Sequence, residues 1–452
     1  MSDLIDLPTV PNTAALDVTA LDATSPPATA PTATALNPTA LAGPTLEQFE
    51  LARALVSKVA EITPMESSRY LSELLGSPVF LKCENLQRTG SYKIRGAYNR
   101  LAQLTGDERA RGVVAASAGN HAQGVAFAAR ELGIAATIFM PIGVALPKLQ
   151  ATRNYGADVV LRGTTVEEPL RAAAEFAENT GAVLIPPFDH PDVVAGQGTL
   201  GLEMLDQLPD LDTVVVPIGG GGLISGVASA LKQRAARDGR SVRIIGVQVS
   251  NAAAYPVSLE RGEPTTIAVL PTIADGIAVA RPGALNFEII KDAVDVVVTV
   301  TDDDTARALL VLLERAKLVV EPAGAVAVAA VMTGQVAAAC PNGAGKTVVI
   351  LSGGNIDPLI MERVISRGLA ASERYLKLKL MLPDRPGQLA RVAELISEAN
   401  ANVVEVLHTR HGRNALISEV ELELSIETRG PEHVRRVLAR LVDAGYEPRI
   451  DY

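Results

Sequence analysis

The sequence predicts an α/β protein built on a parallel or mostly parallel sheet, followed by a small ferredoxin-like domain, and three observations carry that expectation. From Thr45 to about Gly368, short apolar runs rich in Val and Ile alternate with helix-length stretches, as in sheets buried on both faces. Near Ser372 the pattern changes to alternating strands and amphipathic helices in the order βαββαβ. The chain has 452 residues, more than one hydrophobic core usually covers, so two or more domains are expected.

In chain order, residues 1–45 are rich in Ala, Thr and Pro, hold no aromatic residue and show no helical or strand period. Such a segment cannot bury enough apolar surface to offset its ordering entropy, and disorder is expected. A main domain is expected over residues 46–370, with a smaller subdomain at roughly 111–187. Val79–Cys83 reads as a strand and Ile94–Leu104 as a helix. Gly112–Ala116, Ile134–Met140 and Asp158–Leu161 read as strands, separated by helices at Ala122–Leu132 and Leu146–Tyr155. Thr213–Ile218, Val242–Val249, Val294–Val300 and Thr347–Leu351 are continuous apolar runs, expected to be strands buried on both faces. A boundary is expected between Gly368 and Tyr375, and the last domain spans residues 375–452. There Leu376, Leu378, Leu380 and Leu382 alternate with other residues in a half-buried strand. Gln388–Ala399 is a helix, Asn402–His408 and Ile417–Ile426 are strands, Pro431 opens a helix that Gly445 ends, and Tyr446–Ile450 closes the unit.

Composition excludes several classes. A net charge of -10 argues against a nucleic-acid surface. The two cysteines, Cys83 and Cys340, cannot form a disulfide framework and lack zinc-site spacing, which suits a reducing cytoplasm. The five histidines show no metal-ligand spacing, and no metal requirement is expected. No apolar run is long enough to span a bilayer, and the first basic residue is Arg53, so neither a secretory nor a mitochondrial leader is expected.

Three segments carry the chemistry. In Gly90-Ser91-Tyr92-Lys93-Ile94-Arg95-Gly96 a lysine stands where a loop enters a helix. A lone lysine is usually a solvated surface group, but in an enclosed site its amine can lose its proton and attack an aldehyde. In the second, the strand Val216-Pro217-Ile218 runs into Gly219-Gly220-Gly221-Gly222-Leu223 and then a helix. Glycines let backbone N–H groups converge on a phosphate, and the helix N-terminus adds positive potential. The dinucleotide fingerprint fails, because Ile224 stands where its third glycine belongs; the bland alternative is a flexible turn. The third, Ser117-Ala118-Gly119-Asn120-His121-Ala122-Gln123-Gly124, also lies between a buried strand and a helix. It offers N–H groups, a hydroxyl and an amide to a carboxylate and a ring oxygen, and a plain helix cap by Ser117 or Asn120 is compatible with that reading.

Together these segments resemble the fold-type II pyridoxal-phosphate enzymes (tryptophan synthase β-like, with two open-sheet α/β subdomains), and within them the threonine/serine dehydratase and serine racemase branch. The cysteine synthase branch has an Asp after its lysine and Thr-Gly after its asparagine, and this chain has neither. The resemblance covers roughly Thr45–Gly368 and implies pyridoxal 5'-phosphate as cofactor, with Lys93 as the Schiff-base lysine. It implies that Asn120 bonds the ring hydroxyl and that Gly219, Gly220, Gly221, Gly222 and Leu223 cradle the phosphate. Ser117, Gly119, Asn120 and His121 would bind the substrate carboxylate, and Ser352 in Leu351-Ser352-Gly353-Gly354-Asn355 would meet the ring nitrogen. A neutral hydroxyl there leaves a weaker electron sink, which favours prompt β-elimination. Glu321-Pro322-Ala323-Gly324 and Ala274-Asp275-Gly276 also match family motifs, as pocket lining or helix caps.

The activity so implied is β-elimination of threonine to 2-oxobutanoate and ammonia, the opening step of isoleucine biosynthesis, with serine dehydratase, serine racemase and threonine synthase as rivals within the family. Racemases of the branch place a serine where Ala118 stands, and Ala118 has no proton to give, so a dehydratase is favoured. The stretch Gln248–Ala254 lacks the carboxylates with which some relatives hold a divalent cation. The C-terminal unit resembles a single ACT domain through Asp384-Arg385-Pro386-Gly387-Gln388-Leu389 and Ala401-Asn402-Val403. That resemblance implies subunit pairing, as a homodimer or homotetramer, and an amino-acid effector such as isoleucine or valine near Gly387 and Asn402. The alternative is an ACT unit used only for assembly. Gly345-Lys346-Thr347 is no P-loop, since Cys340 stands where its first glycine belongs, and Asp302-Asp303-Asp304 after Thr301 reads as helix capping. Rivals from other classes are a nicotinamide dehydrogenase and a catalytically silent amino-acid sensor; the failed fingerprint opposes the first, and Lys93, Asn120 and Ser352 the second.

Overall fold

The computed structural model describes residues 43–165, 167–410 and 418–450. The expected disorder of residues 1–45 falls almost wholly outside these. Thr45, at the edge of that segment, makes a capping box with Gln48 at the start of the helix Leu46–Val56.

Fourteen strands are described, organised in three sheets. They are β1 (Met65–Ser67), β2 (Val79–Lys82), β3 (Val113–Ala116), β4 (Ala136–Met140), β5 (Asp158–Leu161), β6 (Val183–Leu184), β7 (Thr213–Pro217), β8 (Arg243–Val249), β9 (Val296–Val300), β10 (Thr347–Ile350), β11 (Tyr375–Pro383), β12 (Asn402–Thr409), β13 (Glu419–Glu427) and β14 (Arg449–Ile450). The largest sheet has the order β1-β2-β10-β7-β8-β9 and is parallel except for β1, which pairs antiparallel with β2. A second, wholly parallel sheet has the order β5-β4-β3-β6.

Every residue of β7 and β10 is buried, as their continuous apolar runs require. The Val296–Val300 run departs from the same expectation. It is the edge strand β9, only partly covered, because one side has no neighbouring strand. β1 reads Met-Glu-Ser and carries no apolar signal; it is a strand only because its backbone pairs with β2.

One helix organises the site. Pro191–Gln207 packs against both Lys93–Ala102 and Gly222–Arg237, and glycines make those contacts close. A Cβ on Gly196 would strike the backbone of Arg95 and Gly96, and one on Gly226 the backbone of Val194 and Gly198. The loop-to-helix turns that begin at Lys93 and at the glycine run are thus held by a common element.

The helix Pro358–Ala371 leads to the C-terminal unit and crosses the start of the expected boundary region. That unit follows the order βαββαβ, with sheet order β12-β13-β11-β14. β11 and β13 pair antiparallel from Tyr375↔Glu427 to Pro383↔Glu419. Leu376, Leu378, Leu380 and Leu382 join Val392, Ile396, Val434 and Leu441 in its core, so period-two and helical patterns face each other. Ile417, where the third strand was expected to open, lies outside the described residues.

Candidate active site

Lys93 is the first residue of the helix Lys93–Ala102, which has no side-chain cap. Its Nζ donates to the Pro187 carbonyl (2.9 Å). Burial pushes the amine down to about 8, against the pull of the Glu321 carboxylate. A substantial neutral fraction is therefore available near pH 7–8, unlike a surface lysine.

The Ser117–Gly124 segment lies after β3 and opens the helix Asn120–Leu132, again without a side-chain cap. Ser117 Oγ accepts from the Gly119 N–H (3.1 Å). Asn120 Nδ2 donates to Glu321 Oε1 (2.6 Å), and its Oδ1 accepts from Asn355 Nδ2 (2.8 Å). The amide is thereby fixed in orientation with one of its two N–H bonds left over. His121 is buried, its Nε2 pairs with the Ile185 carbonyl (2.9 Å), and burial followed by the Lys93 charge pushes it down to about 3. A neutral imidazole turned toward Ile185 leaves His121 only its backbone N–H for an anion. A Cβ on Gly124 would stand 3.2 Å from the Lys93 carbonyl, so this helix and the Lys93 helix meet closely.

The glycine run follows β7. Gly221 has φ +105°, a conformation that favours glycine, and Gly222 begins the helix Gly222–Arg237. The first intrahelical bond is from the Ser225 N–H to the Gly221 carbonyl (2.9 Å). The N–H groups of Gly222, Leu223 and Ile224 precede it, are buried, and have no side-chain cap. A buried, uncapped helix start is a site for an anion. Phe188, next to the Pro187 that accepts from Lys93, covers the run; its ring would meet a Cβ on Gly220.

Ser352 lies just past β10, buried, and its carbonyl accepts from the Tyr92 N–H (3.1 Å). Gly353 faces Glu321 and Asn120. Lys93, Asn120, the glycine run and Ser352 are thus connected through Pro187–Phe188, Tyr92 and Glu321. Gly387 and Asn402 lie elsewhere: Gly387 precedes the helix Gln388–Glu398 with φ +92°, and Asn402 begins β12. Asp304 makes a reciprocal capping box with Thr301, while Asp302 accepts from the Thr272 hydroxyl and the Ile273 N–H.

Several participants were missed by sequence reasoning or, like Glu321, expected only as pocket lining or a helix cap. Glu321 occupies a helix N-cap position, yet its side chain leaves that helix for Asn120. Burial and then the charge of Asp275 raise its carboxyl to about 7, despite Lys148, Asn120 and Lys93. Asn355 stands in the quoted Ser-Gly-Gly-Asn run without a role assigned, and its position just past a strand was the available signal. Lys148 bonds Asp275 (3.4 Å) beside a cleft of about 1240 Å³ that runs from Ala118, Glu321 and Asn355 to Tyr375. Behind the Lys93 helix, Arg95 donates to Glu84 (2.8 and 2.9 Å) and to Glu203 (2.9 Å), and Lys82 to Glu203 (2.5 Å). No short motif exposes that cluster.

Comparison with known proteins follows the same division. Residues 56–353 match the family described as pyridoxal-phosphate dependent enzyme, and residues 378–443 match the ACT domain. A protein of Thermotoga maritima named L-threonine ammonia-lyase is 46% identical over 406 residues, covering 90% of this chain and 99% of its own. Maize serine racemase superimposes with a TM-score of 0.67 at 35% identity, covering 73% of this chain and 99% of its own. The processed threonine deaminase isoform 2 of Solanum lycopersicum gives 0.66 at 39% identity, covering 71% and 93%. The chain belongs to the pyridoxal-phosphate-dependent enzyme family and carries a C-terminal ACT domain. The residues present fit that cofactor: a neutralisable buried amine, and a glycine run too closely packed for side chains that leads into a buried, uncapped helix start for a phosphate.

Proposed function

We propose that this protein is an L-threonine ammonia-lyase regulated through its ACT domain. The observation that carries the reading is the depressed Lys93 amine, set among helix starts at Asn120 and Gly222 that lack side-chain caps. Both the relative from Thermotoga maritima and the Solanum lycopersicum structure, each named for threonine chemistry, support it.

Pyridoxal phosphate, when bound, supplies an aldehyde that condenses with amines and a ring that draws electrons from the substrate Cα. Lys93 would be the residue that carries it. As a free amine, Lys93 would be a base of suitable strength to take the substrate Cα proton. The Gly219–Leu223 run would hold the phosphate, and Ser352 would meet the ring nitrogen. Asn120, oriented by Glu321 and Asn355, would have its remaining N–H for the ring hydroxyl. The uncapped N–H groups of Asn120 and His121, with the Ser117 hydroxyl, would hold the substrate carboxylate, since the Ser117 and Gly119 N–H groups donate to the Phe139 carbonyl and to Ser117 Oγ; neutral His121 adds no competing charge. Loss of the β-hydroxyl with the Cα proton, then hydrolysis, turns one threonine into one 2-oxobutanoate and one ammonia. Ala118 offers no proton to the opposite face, which separates this site from a racemase.

In the ACT unit, Gly387 and Asn402 mark the turns on either side of the helix Gln388–Glu398, near which an amino-acid effector, isoleucine or valine, would bind. Val404, Val406 and Leu407 are exposed on the edge strand β12 and suit pairing with a second subunit, as a homodimer or homotetramer. Two buried free cysteines suit the cytoplasm. The test is oxo-acid formation from threonine and from serine, with calorimetry of the full chain against isoleucine and valine. Faster 2-oxobutanoate release from threonine is expected. A higher kcat/KM for serine, or no oxo acid from either, would overturn the assignment, and heat-silent titrations would remove the effector.

A further inference from the structure

We infer that Tyr255 and Asn286 are positioning residues for the cofactor phosphate: they pin the Gly220 carbonyl and so aim the Gly221 N–H. The inference rests on the assignment of Gly219–Leu223 to the phosphate.

The Gly220 carbonyl accepts three hydrogen bonds, from the Tyr255 hydroxyl (3.0 Å), Asn286 Nδ2 (3.3 Å) and the Gly283 N–H (3.3 Å). A carbonyl needs far less to be satisfied. Both side chains are fully buried. Burial, then the charge of Asp189, raises the Tyr255 phenol well above its ordinary value, so it stays a donor. The Asn286 side-chain oxygen is buried without a partner, so the amide carries a desolvation cost that its bond to Gly220 offsets.

Peptide planarity converts this clamp into direction. In a trans peptide the C=O of one residue and the N–H of the next point opposite ways. Holding the Gly220 carbonyl against Tyr255 and Asn286 therefore turns the Gly221 N–H away from them. Gly221 adopts φ +105°, and the space a Cβ would fill there is taken by the Tyr255 hydroxyl. The clamp is itself anchored. Gln248 accepts from the Tyr255 N–H (2.8 Å) and reaches the carbonyl of Ile218, the residue before the glycines. Asp189 accepts from the N–H groups of Ala284, Leu285 and Asn286, fixing the helix that carries Asn286. Asp189 follows Phe188, which lies against Gly220 and Gly222, so the same loop reaches the glycine run and its clamp.

The test titrates apoprotein with pyridoxal 5'-phosphate and, separately, with pyridoxal, following the absorbance of the lysine adduct. Tyr255→Phe deletes one oxygen and keeps the ring. It is expected to weaken pyridoxal phosphate binding about three- to tenfold while leaving pyridoxal within about twofold. Thermal protection of the apoprotein by inorganic phosphate should fall in parallel. Asn286→Ser is expected to act in the same direction and supplies the comparison if Tyr255→Phe does not fold. Equal weakening of both aldehydes, or weakening of neither, in the folded variants overturns the clamp. A wild-type protein that binds the two aldehydes equally well overturns the phosphate assignment itself, which keeps the two failures apart.

Discussion

Replacing Arg95 with methionine tests how the Lys93 helix is held. Arg95 and Lys82 face Glu84 and Glu203 in a cluster where the two cations and Glu84 are essentially inaccessible and Glu203 nearly so. The charges balance, two against two, until Arg95 is removed. Glu84 then loses two hydrogen bonds and Glu203 one, leaving Lys82 alone against two carboxylates. Breaking a buried pair from one side costs about 3–5 kcal/mol. A domain of roughly 300 residues gains about 0.6 kcal/mol/K of entropy on unfolding, so the loss lowers Tm by about 5–8 °C. The pH dependence follows from Glu84. Burial raises its carboxyl, but the charge and hydrogen bonds of Arg95, with Lys82 and Thr63, outweigh burial and leave it lowered. A lowered carboxyl stabilises the fold above its unfolded pKa, and that stability is lost as pH falls through the folded value. Without Arg95 the contribution disappears, so the Tm gap between wild type and Arg95→Met should be full near pH 7 and narrow as pH falls below about 4.5. Scanning calorimetry from pH 4 to 8 measures it. Glu84→Gln added to Arg95→Met should recover part of the loss. A gap below about 1 °C at pH 7, or one unchanged down to pH 4, would refute the reasoning.

Other expectations concern the site itself. Lys93→Ala should abolish the visible absorbance of the cofactor–lysine adduct, and retention of both that band and normal turnover would end the assignment of Lys93. Because burial lowers the Lys93 amine to about 8, the condensation rate of apoprotein with pyridoxal should rise through that pH and level off above it; stopped-flow absorbance measures this. Glu321 is raised to about 7, so its stability contribution is present below its unfolded pKa and lost as pH rises through about 7. Glu321→Gln should remove that limb from the Tm–pH curve of the apoprotein. Gly221→Ala places a Cβ at φ +105° against the Tyr255 hydroxyl and should cost about 1–3 kcal/mol of stability, read by urea unfolding.

The sequence alone was enough for the alternation of buried strands and helices, the change of pattern before β11, and the three loop-to-helix turns at Lys93, Asn120 and Gly222. Each is local: periodic burial and glycine geometry are written in consecutive residues. The unaided sequence also disclosed the family, through the order of those turns. It did not disclose that β9 would be an edge, that Met65–Ser67 would be a strand, or that Glu321 would leave its own helix for Asn120. Those depend on which distant segments the topology brings together. Tertiary structure alone decided the partners of each polar group: Pro187 for Lys93, Glu84 and Glu203 for Arg95, Tyr255 and Asn286 for the Gly220 carbonyl. The physical reason is that burial and pairing energies belong to groups far apart in the chain, and only the folded arrangement sets which of them meet and how much water is excluded.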